Sequence, residues 1–110
     1  MKLVKAIVRP NKADAIKDAL AKCSVAGMTV TEVRGHGRQR GHSAVYRGCE
    51  YAVRLLPKIK ITAVVPDETA EDVIAAITSS ARTGEIGDGW IFVIPVEESR
   101  SIRTGERNVV

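Results

Sequence analysis

Aromatic residues are scarce in this chain: one Phe, two Tyr and one Trp among 110 residues. A reader of single-stranded nucleic acid wants aromatic rings interleaved with its cations for base stacking. Only Tyr46 and Tyr51 fall in the basic part of the sequence, so nucleic acid is not an expected partner. Cysteine is equally sparse. Cys23 and Cys49, with two histidines and no CxxC, form neither a disulfide framework nor a zinc-ligand spacing. Reduced thiols in a cytoplasmic protein are the expectation. No apolar run approaches the roughly 20 residues of a membrane helix. The N-terminal stretch Met1 to Arg9 interleaves charge with apolar residues, unlike the apolar segment of a signal peptide. Direct membrane insertion is therefore not expected. A Ser/His/Asp set, paired carboxylates in an apolar setting and a Walker motif are all missing, so no enzyme is expected.

What is present is an ordinary globular balance, 45% apolar and 27% charged, in a length that fits one domain over residues 1–110. The net charge of +4 is concentrated. Arg34, Arg38, Arg40, Arg47, Arg54 and Lys58 face only Glu50 between positions 34 and 58, so that segment carries +5 and the rest about −1. Such a segment suits phosphates, a carboxylate ligand or an acidic partner surface.

Lys2 to Val8 alternates as a strand, with Leu3, Lys5 and Ile7 opposite Val4, Ala6 and Val8. Pro10 stops it and Asn11 is a good N-cap for a helix carrying Ile16, Ala19, Leu20 and Cys23. Gly27 closes that unit, and Met28 to Val33 alternates as a second strand. Lys58 to Val65 is a third strand, ended by Pro66. Asp67 is read as the cap of a second helix with Val73, Ile74, Ile77 and Ala81 as its stripe and Gly84 as its end. Ile91 to Val96 is the fourth strand, with Pro95 marking an edge. Residues 97–110 form a polar C-terminal segment, with a short strand expected near Ser101 to Arg103.

The two halves echo each other as strand, proline, cap, helix and strand. This predicts an α+β, ferredoxin-like βαβ-βαβ sandwich of four antiparallel strands with two helices on one face. The first and third strands are apolar on both sides, so the second sheet face also needs cover, which packing of several subunits would supply. Between the second and third strands, residues 35–55 hold four glycines, many arginines and no stable period. Loops beyond about 12–15 residues are uncommon in compact domains and usually serve a function.

Gly84-Glu85-Ile86-Gly87-Asp88-Gly89 joins the second helix to the fourth strand. It serves either as a tight turn, with Glu85 and Asp88 as turn formers, or as a nest of N–H donors for an anion. Arg-Thr-Gly-Glu occurs at 82–85 and again at 103–106, where Arg103 could reach a phosphate from the tail. His36 and His42 flank the arginine-rich segment and read as exposed loop residues.

Several contiguous stretches together resemble the PII signal-transduction proteins. They are Thr29-Val30-Thr31-Glu32-Val33, Gly35-His36-Gly37-Arg38-Gln39-Arg40-Gly41-His42, Tyr46-Arg47-Gly48-Cys49-Glu50-Tyr51, Leu56-Pro57-Lys58, Thr83 to Gly89, and Arg103-Thr104-Gly105-Glu106. The resemblance runs essentially end to end. It implies a homotrimer that binds ATP or ADP between subunits, with Mg²⁺ and ATP permitting 2-oxoglutarate to bind. It also implies a loop over 35–55 that regulates nitrogen-metabolism targets.

Matching positions for nucleotide are Ile7, Thr29, Gly35, Gly37, Arg38, Gln39, Val64, Gly87, Asp88, Gly89, Trp90 and Arg103. For 2-oxoglutarate they are Gln39, Arg40, Gly41, Lys58 and Gly87, with Gln39 also holding magnesium. Tyr51 matches a nucleotidylylated tyrosine, and Arg47 the loop-tip arginine that enters ammonium channels. An ammonium channel and a nucleotidyltransferase are thus the implied partners, the channel giving a route to the membrane. Family members usually carry lysine where this chain has Trp90, arginine where it has Ser101, and often glutamate at Thr62. Arg100 is one place off. Losing two phosphate-facing cations implies weaker discrimination for the γ-phosphate, and hence an alternative: an ADP or AMP sensor with little or no 2-oxoglutarate response.

Overall fold

The computed structural model describes residues 1–36, 45–46, 49–50 and 55–108. Four strands form one antiparallel sheet: β1 (Lys2–Val8), β2 (Thr29–Gly35), β5 (Leu56–Val65) and β6 (Gly89–Pro95), in the order β2-β5-β1-β6. The helices α1 (Ala13–Lys22) and α2 (Asp67–Ala81) follow β1 and β5. Between β2 and β5 lies a two-stranded ribbon of β3 (Val45–Tyr46) and β4 (Cys49–Glu50). This is the expected ferredoxin-like arrangement.

The core lies between the helices and one sheet face. Val4, Ala6 and Val8 of β1 and Ile61, Ala63 and Val65 of β5 alternate inward. They meet Ile16 and Leu20 of α1 and Ala70, Val73, Ile77 and Ala81 of α2. A helix as short as α1 is marginal in isolation, so this packing is what holds it.

The sequence misplaces several element ends. Asn11 is not a cap: Pro10–Lys12 forms a 3-10 turn and the α-helix starts only at Ala13. Proline's fixed φ and missing N–H suit a first turn, which is why Pro10 starts a tight turn as well as stopping the strand. Asp67 is likewise inside α2, whose cap is Pro66, and its carboxylate instead pairs with the Met1 amine at 2.9 Å. That amine holds the Asp67 carboxyl below its ordinary pKa. α1 ends before Ser24, which takes φ 59, and α2 ends at Ala81, three residues ahead of Gly84. Ser101 to Arg103 is not a strand. It enters a turn closed by the Ser101 N–H on the Glu106 carbonyl and the Gly105 N–H on the Ser101 carbonyl. Glu98 ties this segment together by accepting from Arg100 and Arg107.

Among the described residues, no helix covers the second sheet face. Register places Leu3, Lys5 and Ile7 on it beside Lys58, Lys60, Thr62 and Val64 of β5. Trp90, Phe92 and Ile94 of the edge strand β6 complete it. Trp90 is 73% exposed and Phe92 47%, an unusual display for large apolar side chains.

Candidate functional site

The pairing of β1 with β6 sets Ile7 against Trp90 and Val8 against Gly89. One step further along the same register, Arg9 comes opposite Asp88. The two side chains meet: Arg9 Nε donates to Asp88 Oδ1 at 3.2 Å, and Arg9 Nη2 donates to the Ile86 carbonyl at 2.9 Å. Asp88 also accepts from the Thr83 and Gly84 N–H groups, both at 2.9 Å, and from the Thr83 hydroxyl. The hydroxyl and N–H of Thr83, then the Gly84 N–H and Arg9, hold this carboxyl well below the usual carboxylate range.

Glycine is required in this turn. Gly89 has φ 108, and an added Cβ would lie 1.8 Å from the Ile7 carbonyl oxygen. Gly87 has φ 105, and a Cβ there would crowd the Arg9 guanidinium at 3.2 Å. Lys58, projecting from β5, closes the arrangement by donating from Nζ to the Gly87 carbonyl at 2.9 Å. Burial and then Arg9 lower its pKa, while Asp88 opposes them.

The loop, β1 and Lys58 enclose a cavity of about 440 Å³ that opens onto the uncovered sheet face. Its walls bring together seven of the predicted residues: Ile7, Gly35, Lys58, Gly87, Asp88, Gly89 and Trp90. The N–H groups of Ile86 and Gly87 donate to no protein acceptor among the described residues. A lysine ammonium has three donors, and one of those on Lys58 is occupied. Lys58 thus brings free cationic donors to a cavity that Ile7, Ile86, Trp90, Phe92, His36 and the acidic Glu85 also line.

Thr29, Val64 and Arg103 do not join this set. Val64 pairs with Leu3 at the other end of the sheet, roughly 20 Å from Lys58 at about 3.3 Å per strand residue. Thr29 pairs with Thr62 on the way there. Arg103 is exposed in the C-terminal turn, whose segment attaches to the Met1 end through Val96 N–H on the Met1 carbonyl. Gly37, Arg38, Gln39, Arg40, Gly41, Arg47 and Tyr51 lie outside the described residues.

Sequence reasoning missed Arg9 and Phe92 as parts of the cavity or its frame, and read His36, which lines the cavity, only as an exposed loop residue. Arg9 was legible in principle, because it immediately follows β1 as Asp88 immediately precedes β6. Among the described residues, no group of three or more His, Cys, Asp or Glu side chains is placed to hold a metal. No described helix is long and apolar enough to cross a membrane.

Fold and cavity thus define a class: a ferredoxin-like α+β protein with an anion-receptive glycine turn at one end of its sheet. The family model of the nitrogen regulatory protein P-II matches residues 1–106. Similar proteins include the nitrogen regulatory protein P-II of Haemophilus influenzae, 52% identical over 98% of this chain and 96% of the relative. That of Rhizobium meliloti is 55% identical over 96% and 95%, and that of Nostoc punctiforme 54% over 98% and 96%. The chain belongs to the P-II family, whose members are regulatory signal-transduction proteins of nitrogen metabolism.

Proposed function

We propose that this chain acts as a homotrimeric sensor of ATP or ADP and of 2-oxoglutarate, and regulates nitrogen-metabolism targets through residues 35–55. Residues 1–110 work as one signalling domain, with 97–110 as its C-terminal segment. The observation that carries the reading is the turn at 83–89. Asp88 and Arg9 fix it beside Lys58, and its residues 85–89 line a cavity of ligand size.

The split of the predicted residues between the two ends of the sheet supports a site shared by two subunits. Ile7, Gly35, Lys58 and Gly87 to Trp90 would come from one subunit, and Thr29, Val64 and Arg103 from the next. Subunit packing would also cover Phe92 and Ile94. In this reading the Ile86 and Gly87 N–H groups receive phosphate oxygens, and Lys58 pairs with a 2-oxoglutarate carboxylate.

Asp88 is fully engaged by donors and is no magnesium ligand. Mg²⁺ would be held largely by phosphate oxygens, as this ion prefers, with Gln39 as the protein ligand. The metal supplies charge neutralisation when bound. The protein acts without catalysis in the cytoplasm and reaches the membrane through an ammonium-channel partner that Arg47 enters. Tyr51 is the position a nucleotidyltransferase would modify.

A second reading rests on Trp90. An indole stands at the cavity edge where family members usually carry lysine, and Ser101 stands in place of arginine. This favours an ADP or AMP sensor with little or no 2-oxoglutarate response. Titration of Trp90 fluorescence with ATP, ADP and AMP, with Mg²⁺ and with or without 2-oxoglutarate, separates the two. If 2-oxoglutarate tightens ATP binding, ATP must tighten 2-oxoglutarate binding equally, and Lys58→Met abolishes the coupling. Nucleotide binding that ignores 2-oxoglutarate selects the second reading. Failure of ATP, ADP and AMP alike to bind refutes both.

A further inference from the structure

The helix-free sheet face carries charge of one sign. Its two central strands, β1 and β5, set Lys5 and Lys60 near its middle. Lys5 stands opposite Thr62 on β5 and Phe92 on β6, and Lys60 opposite Ile7 on β1 and Thr31 on β2. Facing pairs bring Cβ atoms to about 4.5–5.5 Å, and diagonal neighbours such as Lys5 and Lys60 to about 7–8 Å. Both lysines are half-buried in the single chain. Neither makes an ion pair among the described residues. The alternation of the four strands puts no acid on this face. Glu32 of β2 stands opposite Ile59, which packs against the core on the helix side. Glu85 and Asp88 lie beyond the Lys58 end of the face, and Asp88 is engaged by Arg9 and Thr83. Glu98 is engaged by Arg100 and Arg107.

Exposed Trp90 and Phe92 favour covering this face. The lysines oppose it, because a charge taken out of water must be paired. A second copy of the chain cannot supply the pairing, since closed symmetry repeats the same patch around the axis. Each copy in the proposed trimer adds the same two lysines and no acid. We propose that an inorganic oxyanion of the phosphate or sulfate type is bound between the copies, accepting from Lys5, Lys60 and the Thr62 hydroxyl. This rests on the trimer reading above and adds to it a ligand site of its own. Lys5, Lys60 and Thr62 are all absent from the lining of the 440 Å³ cavity, so the anion does not compete there. A tetrahedral oxyanion fits the donor set. Its four oxygens can accept from several ammonium groups at once, and such charge-assisted bonds are the strong ones.

The test follows the full-length protein by sedimentation and thermal melting in chloride, sulfate and inorganic phosphate at one ionic strength, which keeps general screening constant. The expected result is a trimer whose Tm rises saturably by several degrees with phosphate or sulfate over chloride. Both anions also stabilise proteins in general at high concentration, so variants locate the site. Thr62→Glu puts a carboxylate opposite Lys5 and two residues from Lys60. It should make the trimer as stable in chloride as wild type is in phosphate, and abolish the response. Thr62→Gln, of the same size without the charge, should keep the response. Lys5→Gln, which removes one cation per subunit, should raise Tm in chloride and shrink the response. A response as large in Thr62→Glu and Lys5→Gln as in wild type marks a general salt effect or an ion at the Lys58 turn, and overturns the inference. A wild-type trimer equally stable in all three salts overturns it too and leaves the sensor reading standing. A chain that stays monomeric in every salt overturns both readings together.

Discussion

Replacing Gly89 with alanine tests the geometry on which the site rests. An added Cβ would sit 1.8 Å from the Ile7 carbonyl oxygen and 2.9 Å from its carbon, both backbone atoms that no rotamer change can move. At φ 108 the backbone itself disfavours a side chain, which costs roughly 1–3 kcal/mol. Relieving the contact means lifting the start of β6 from β1 at the Val8–Gly89 pair, with loss of ladder hydrogen bonds at about 0.5–1.5 kcal/mol each. A total near ~3 kcal/mol is a large share of the ~5–15 kcal/mol that holds such a domain together. It corresponds to a fall in Tm of about 10–20 °C at this size. Gly84→Ala is the internal comparison. Gly84 also has positive φ, 88, but nothing lies within 4 Å of its would-be Cβ. It therefore carries only the backbone part of the cost. Urea midpoints at matched protein concentration, which holds the mass-action contribution of assembly equal, should rank Gly89→Ala well below Gly84→Ala. Equal losses in the two variants would refute the close approach of Gly89 to Ile7.

The remaining predictions concern charge and packing. Asp88→Asn should destabilise the turn at neutral pH. The folded-state pKa of Asp88 is depressed, so its stabilisation is present above the ordinary carboxylate pKa of about 3.9 and fades as pH falls toward the lower folded value. Denaturation midpoints of wild type and Asp88→Asn should therefore converge on acidification. Trp90→Lys combined with Ser101→Arg should raise ATP affinity by roughly tenfold or more, since hydrogen bonds to charged groups are the strong ones; calorimetry reads this directly. Ile77→Ala, a 2% exposed core position, should cost about 2–5 kcal/mol in a denaturant titration, with far-UV circular dichroism unchanged.

The fold was legible because its period is repeated. The strand–proline–helix pattern from Lys2 to Leu20 returns from Lys58 to Ile77, and both copies fold as the alternation requires. Cap identity was less legible, because Asn11 and Asp67 are good capping residues whose positions were decided by other forces. Pro10 starts a 3-10 turn, and the Met1 amine claims Asp67. In the site, Gly35, Lys58 and the 87–89 turn could be matched from contiguous motifs. Arg9 belongs to none of those motifs: its partner lies 79 residues away, and only the β1–β6 register, with Arg9 just after one strand and Asp88 just before the other, identifies the pair. Thr29, Val64 and Arg103 answer to a neighbouring subunit in the proposed trimer, and the sequence of one chain holds no distance between chains.

The turn at 83–89 has a kinetic consequence. Asp88 ties its two ends, Arg9 holds the Ile86 carbonyl and Lys58 holds the Gly87 carbonyl. The ordering entropy of this half of the site is thus spent during folding, before any ligand arrives. Association against it need not wait for a loop to rearrange, so the encounter rate should be governed by diffusion and charge. Under the proposed function, a slow step of signalling would then lie outside this turn, and a ligand analogue that touches only 83–90 should bind and leave without producing it.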